Sequence, residues 1–135
     1  NLTMAIALLK GEKFDLVIQK AVEIGVTKIV PILTKRTDVK LKDSAKKLER
    51  WQRIILESSK QCGRARLMQI EFPIQFEKLI KTGASLHLCG EKFLLFSERN
   101  GENFSAIEPT KYLTVIIGSE GGWDDSEIEL ARTNG

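Results

Sequence analysis

The stretch Tyr112–Ala131, YLTVIIGSEGGWDDSEIELA, constrains this chain more than any other. It opens with the apolar, β-branched run Leu113-Thr114-Val115-Ile116-Ile117, which suits a strand buried on both faces. It closes with helical spacing, Ile128 and Ala131 with Leu130 beside them. Between the two lies Gly118-Ser119-Glu120-Gly121-Gly122, where three glycines let the backbone take positive φ and let a ligand come close to main-chain atoms. The helix start is strongly signalled: Asp124 is a good N-cap, Glu127 falls at the N3 position of a capping box, and Trp123 and Ile128 can staple around it. Strand, glycine loop and capped helix together predict a binding site at the carboxyl end of a parallel strand.

Charge narrows what such a loop could hold. Helix N-termini attract anions, and a glycine loop before a helix is a common phosphate cradle. Here no lysine follows the glycines, and the helix opens with Asp124, Asp125 and Glu127, three carboxylates that would repel phosphate. A neutral, zwitterionic or cationic ligand held by backbone groups fits better. The plainer alternative is a tight turn with no ligand.

With 135 residues the chain is long enough for one domain with its own core and too short for two ordinary ones. It holds no apolar run of transmembrane length and no signal-peptide pattern, which argues against a membrane or secreted protein. Cys62 and Cys89 follow no metal spacing, and His87 is the sole histidine, so no metal site is expected and the thiols read as reduced, in a cytoplasmic protein. A net charge of +3 permits nucleic-acid binding without demonstrating it.

In chain order, Thr3–Leu9 reads as a first internal strand, followed by a helix from about Glu12 to Ile24 whose Phe14, Val17, Ile18, Ala21 and Val22 share one face. Gly25 suits the left-handed residue that ends a helix, with Val26 packing back. Lys28–Leu33 is a second strand, in which Pro31 belongs near an end or a bulge. After the polar loop Lys35–Lys42, Ser44 is expected to cap a long amphipathic helix through about Gln61. Leu48, Trp51, Ile55, Ser58 and Cys62 form its apolar side, and Lys46, Arg50, Arg53, Glu57 and Lys60 a charged side that reads most plainly as solvated surface. Arg64 and Arg66, at the Gly63 break, are better placed to clamp phosphates than the helix lysines. A short strand near Met68–Glu71, a helix over Ile74–Ile80 and a third core strand over Ala84–Cys89 follow; His87 falls within that strand, as a structural residue rather than a catalyst. Phe93–Phe96 reads as an apolar stub. Strands alternating with helices predict an α/β fold, a parallel sheet covered on both faces.

The wording of the glycine loop goes further. Ile117-Gly118-Ser119-Glu120-Gly121-Gly122 before an acidic helix start resembles the I-G-P-E-G-G signature of the bacterial 16S rRNA uridine-N3 methyltransferases, members of the SPOUT (α/β trefoil-knot) superfamily; Ser119 stands where proline is usual. Gln61-Cys62-Gly63-Arg64 resembles the same family's E-Q-C/S-x-R segment, with Lys60 in place of glutamate, and Gly25–Pro31, Arg36 and Glu49-Arg50-Trp51 match as well. The resemblance covers nearly the whole chain. It implies a SPOUT methyltransferase domain over residues 1–135, with S-adenosylmethionine as cofactor, 16S rRNA or the small ribosomal subunit as partner, and a homodimer.

The resemblance also implies the site. One cofactor loop would be Leu88-Cys89-Gly90-Glu91, after the third strand, and another Ile117 to Gly122, with Glu120 as the acid best placed to take the uridine N3 proton, or else an anchor for loop amides. Arg36, Arg64 and Arg66 are the expected RNA contacts. A helix face carrying Trp51 and Leu48 would be covered by a second copy, the alternative being that Trp51 packs inside the monomer. Family members continue with a further strand, an L-G-x-R-x-L-R-x-E-T-A segment and a helix, and carry an N-terminal RNA-binding domain. A polypeptide that truly ended at Gly135 would be expected to be aggregation-prone or marginally stable, to bind cofactor poorly and not to methylate RNA. The alternatives are another SPOUT enzyme, such as a ribose 2′-O-methyltransferase, and a non-catalytic RNA-binding module.

Overall fold

The computed structural model describes residues 1–39, 43–87, 91–99 and 110–134, with side chains described up to residue 83 of the third helix. The elements run β1 (Leu2–Ala7), α1 (Lys13–Glu23), β2 (Lys28–Leu33), α2 (Ser44–Gln61), β3 (Gln69–Ile70), β4 (Ile74–Gln75), α3 (Phe76–His87), β5 (Lys92–Phe96), β6 (Leu113–Ile117) and α4 (Asp125–Thr133). The strands form one sheet in the order β3-β2-β1-β6-β5, with β4 also on β2, and every pairing is parallel.

The sheet is covered on both faces, and β1 shows why its sequence is apolar throughout. Met4, Ile6 and Leu8 join the α1–α2 side with Phe14, Ile18, Val22, Trp51 and Ile55. Ala5 and Ala7 face the other side with Phe76, Leu79, Ile80 and Trp123. A strand buried on both sides loses the polar alternation of a half-exposed one. Trp51 is 4% exposed and stacks against Phe14 at 4.8 Å, so the apolar face of α2 is spent inside this chain and needs no second copy to cover it.

Two local features explain the run Gly25–Pro31. Gly25 takes φ +91°, and the Val26 and Gly25 amides donate to Ala21 O and Val22 O, a Schellman closure of α1. On β2, Ile29 O accepts from Glu71 N on the outer side, whereas Ile32 O accepts from Leu8 N on the side of β1. Alternation then turns the donorless Pro31 nitrogen outward, between the end of β3 at Ile70 and the start of β4 at Ile74. The proline sits in a strand without removing a ladder bond.

Three expectations need correction. The third core strand is not Ala84–Cys89: residues 84–87 continue helix α3, His87 is its last residue, and the strand is β5, Lys92–Phe96, the segment read as a stub. Helix α3 also begins two residues later than expected, because Ile74 and Gln75 pair with β2. Ser44 is the first helical residue of α2 rather than its cap; Asp43 takes that position at φ +55° with no side-chain capping bond.

Candidate functional site

Because all strands are parallel, the segments leaving β1, β2, β5 and β6 emerge at one edge of the sheet. The glycine loop after β6 is built as its sequence suggests. The Asp124 carboxylate accepts the Ser126 amide at 3.1 Å, and the Glu127 carboxylate accepts the Asp124 amide at 3.1 Å, closing the capping box. Gly122 takes φ +70° and donates its amide to Ser119 O at 2.9 Å. Gly118 is required for a different reason: a Cβ there would lie 2.9 Å from Cε2 of the Trp123 indole.

Trp123 joins this loop to the one after β5. Its Nε1–H donates to Phe96 O at 2.7 Å, and its ring packs on Phe76 at 4.9 Å. Between the two loops lies a hollow of about 500 Å³, lined by Phe96 to Arg99, Ile117 to Trp123, and Ile128. That size is within the usual range for small-molecule sites. Its lining joins aromatic and aliphatic side chains to glycine-rich backbone. The carboxylates around it are largely engaged: Asp125 pairs with Arg99 at 3.2 Å, Asp124 with Lys35 at 3.3 Å, and Glu120 with Lys13. Hydrogen bonds from the Ser126 hydroxyl and amide, and then Lys35, hold the Asp124 carboxyl below its ordinary value.

The turn after β2 braces the loop from another side. Lys35 N–H donates to the buried Glu127 Oε1 at 2.8 Å, Arg36 Nη1 donates to Gly121 O at 2.8 Å, and the Ser119 hydroxyl donates to Arg36 O at 3.3 Å. A second hollow of about 250 Å³ lies there, lined by Leu8 to Lys10, Arg36, Asp38, Val39 and Ser119 to Gly121.

The site residues expected from sequence therefore separate. Ile117, Gly118, Glu120, Gly121 and Gly122 come together around the larger hollow. Glu120 is bound to the Lys13 side chain rather than to loop amides. Leu88, Cys89 and Gly90 lie outside the described residues; Glu91 precedes β5, where it accepts from the Thr114 hydroxyl at 2.6 Å, and does not line the hollow. Among the described residues, the segment facing the glycine loop across the hollow is Ser97-Glu98-Arg99, which had not been expected from sequence. The short apolar, aromatic run Phe93-Leu94-Leu95-Phe96, set between Lys92 and polar Ser97, was the signal for it. Of the three arginines, Arg36 grips the glycine loop, Arg64 Nη1 donates to Val22 O and Val26 O at 3.0 and 2.8 Å, and Arg66 is exposed without a partner among the described residues. Also among the described residues, no three His, Cys, Asp or Glu side chains gather as a metal site, and no helix is long and apolar enough to cross a membrane.

Over residues 1–135 the sequence matches the family described as RNA methyltransferase domain. Ribosomal RNA small subunit methyltransferase E of Mesomycoplasma hyopneumoniae is 38% identical over 136 residues, covering 100% of this chain and 58% of that protein. Its namesake from Synechocystis is 37% identical over 137 residues, covering 98% and 44%. Among solved structures, ribosomal RNA small subunit methyltransferase E from Neisseria gonorrhoeae bound to S-adenosyl methionine aligns with TM-score 0.89 and 28% identity, covering 100% of this chain and 55% of that one. A putative methyltransferase from Legionella pneumophila, in complex with bound SAM, aligns with TM-score 0.91 and 29% identity at the same coverage. The chain spans about half the length of the curated relatives it matches.

Proposed function

Since the chain belongs to the RNA methyltransferase domain family, with the α/β fold of the SPOUT class, we propose that it is the methyltransferase domain of an enzyme that methylates N3 of a uridine in 16S rRNA. The observation that carries this reading is the hollow between the Phe96–Arg99 and Ile117–Gly122 loops, at the carboxyl ends of β5 and β6. Two solved chains of the same fold, from Neisseria gonorrhoeae and Legionella pneumophila, are described with S-adenosylmethionine bound, which supports a cofactor hollow in this chain.

The residues present fit that cofactor. Phe96, Trp123 and Ile128 offer apolar surface for an adenine ring, and the glycine loop offers main-chain groups at close approach. The acidic start of α4 suits a ligand with a cationic centre better than a phosphate. S-adenosylmethionine would supply an electrophilic sulfonium methyl for attack by the uridine nitrogen. The chain's own part is to hold the loop in one shape, because positioning of two reactants can account for ~7–11 kcal/mol of a barrier in good cases. Glu120 is the acid on that loop; Lys13 holds its Oε1, which leaves Oε2 as the oxygen that would take the N3 proton.

The same reading includes the small ribosomal subunit as partner, work in the cytoplasm, and a homodimer. Exposed Ile24, Phe72 and Leu67 offer apolar surface for association, whereas Trp51 does not. The decisive experiment is transfer of labelled methyl from S-adenosylmethionine to small-subunit rRNA by the full-length protein, with the product mapped. Methyl on uridine N3 is expected. Methyl on a ribose 2′-oxygen would make it a different RNA methyltransferase, and salt-dependent RNA binding without transfer would make it a binding module. Sedimentation of the same protein tests the dimer.

A further inference from the structure

The turn after β2 is stiff and is tied to the glycine loop at several points. Thr37 N–H donates to Thr34 O at 3.0 Å, Thr34 N–H donates to Thr37 Oγ1 at 3.0 Å, and the two threonine hydroxyls lie 2.8 Å apart. Such side-chain-to-backbone closures fix a turn locally. At its centre Lys35 is anchored through its amide to buried Glu127 of α4, so the turn cannot drift relative to the helix that follows the loop.

Arg36 extends from this turn to the loop with both its ends engaged. Its guanidinium donates to Gly121 O and its own carbonyl accepts from the Ser119 hydroxyl, so it spans Glu120 from one side to the other. Its stem lies against the loop: a Cβ built on Gly121 would sit 3.4 Å from Arg36 Cβ and 3.6 Å from Cδ. Yet Arg36 lines the smaller of these two hollows and is not among the described residues that line the larger. A cation that donates to main-chain oxygen, away from the ligand hollow, acts on that hollow through the loop it holds.

We propose that Arg36 is a positioning residue for cofactor binding, which fixes the Ser119–Gly122 backbone through Gly121 O rather than contacting RNA. This rests on the larger hollow being the S-adenosylmethionine site. Loss of the guanidinium frees a loop that the cofactor must then order, and affinity falls by that ordering cost.

The test uses the full-length protein and the variants Arg36→Met, which keeps the stem without a donor, and Arg36→Lys, which can still donate to the Gly121 carbonyl. Arg36→Met should weaken S-adenosylmethionine binding roughly tenfold, the scale of one hydrogen bond. It should leave the salt dependence of rRNA binding unchanged, and in the cofactor-free protein it should speed amide exchange at Gly122. Arg36→Lys should restore most of the affinity. Wild-type cofactor affinity in Arg36→Met overturns the proposal, as does affinity lost only in step with global stability. A salt slope shallower by ~0.7–0.9 with cofactor binding intact would return Arg36 to a phosphate contact. If the wild-type protein binds no S-adenosylmethionine, the cofactor reading of the hollow falls and this role with it, while Gly122 exchange still reports separately whether Arg36 fixes the loop.

Discussion

The three glycines of the loop look alike in sequence and differ in what they do. Gly118 makes room for the Trp123 indole, Gly122 supplies a positive φ, and Gly121 does neither, since its backbone is not left-handed and its neighbour is the Arg36 stem. A positive φ for Gly121, the natural guess from a GG pair, therefore belongs one residue later. Gly118→Ala should cost ~1–3 kcal/mol by overpacking against Trp123 and should weaken ligand binding by pulling the indole off Phe96 O. Gly122→Ala should cost ~1–2 kcal/mol as a left-handed non-glycine residue. Gly121→Ala should be the mildest of the three, and denaturant unfolding of the three variants gives the ranking. If Gly121→Ala were the most destabilising, the assignment of φ within the loop would be wrong.

At the scale of elements, Glu127 does what a capping residue alone would not. Besides closing the box with Asp124, it accepts the Lys35 amide from the far end of β2, and it is 5% exposed. Glu127→Ala would leave two amides without partners, each costing ~1–3 kcal/mol when buried, whereas Glu127→Gln keeps one acceptor oxygen and should lose about half as much. Equal unfolding midpoints for the two variants would deny that both bonds count. Asp124 adds a pH signature. Its folded-state carboxyl lies below the ordinary 3.8, so its contribution is complete above that value and is lost as pH falls through the lower native one. Asp124→Asn still accepts at the cap but does not titrate there, so the stability gap between wild type and variant should be constant near neutrality and narrow below 3.8. The capping box and the Trp123–Ile128 staple were legible because every part lies within a few residues. The link from Arg36 to Gly121 crosses 85 residues, and no local pattern announces it. The misplaced third strand has a physical reason too. Phe76, Leu79, Ile80 and Gly83 follow helical spacing, with a Cβ on Gly83 only 2.9 Å from Phe93, but the apolar run beyond them is short enough to read as strand or helix. Phe93–Phe96, set between polar turns, looked too brief to be core, although it pairs with β6 along its full length.

For the molecule as a whole, a net charge of +3 says little about where RNA would lie, because folding uses up some of the cations. Arg50 pairs with Asp15 at 2.5 Å, Lys35 binds Asp124 and Ser126, and Arg64 closes the end of α1 on Val22 O and Val26 O. Of the three arginines expected from sequence to meet RNA, Arg36 and Arg64 donate to main-chain carbonyls, while Arg66 is exposed just beyond the Gly63 break with no partner among the described residues. The two neighbours at that break should consequently respond in opposite ways. Arg64→Ala should lower stability, because the Val22 carbonyl in the last turn of α1 and the Val26 carbonyl just beyond it lose a charged donor worth ~1.5–3 kcal/mol, and should leave the salt dependence of RNA binding as it was. Arg66→Ala should leave the unfolding midpoint unchanged and make the slope of log affinity against log salt shallower by ~0.7–0.9, the release expected for one phosphate contact. Both are measured on the full-length protein with small-subunit rRNA, at temperatures well below unfolding so that the loss in Arg64→Ala does not enter the affinity. A shallower slope in Arg64→Ala with its stability intact would mean that the guanidinium leaves the helix end for phosphate. An unchanged slope in Arg66→Ala would move the RNA surface away from this break, towards the cations that rim the sheet's carboxyl edge.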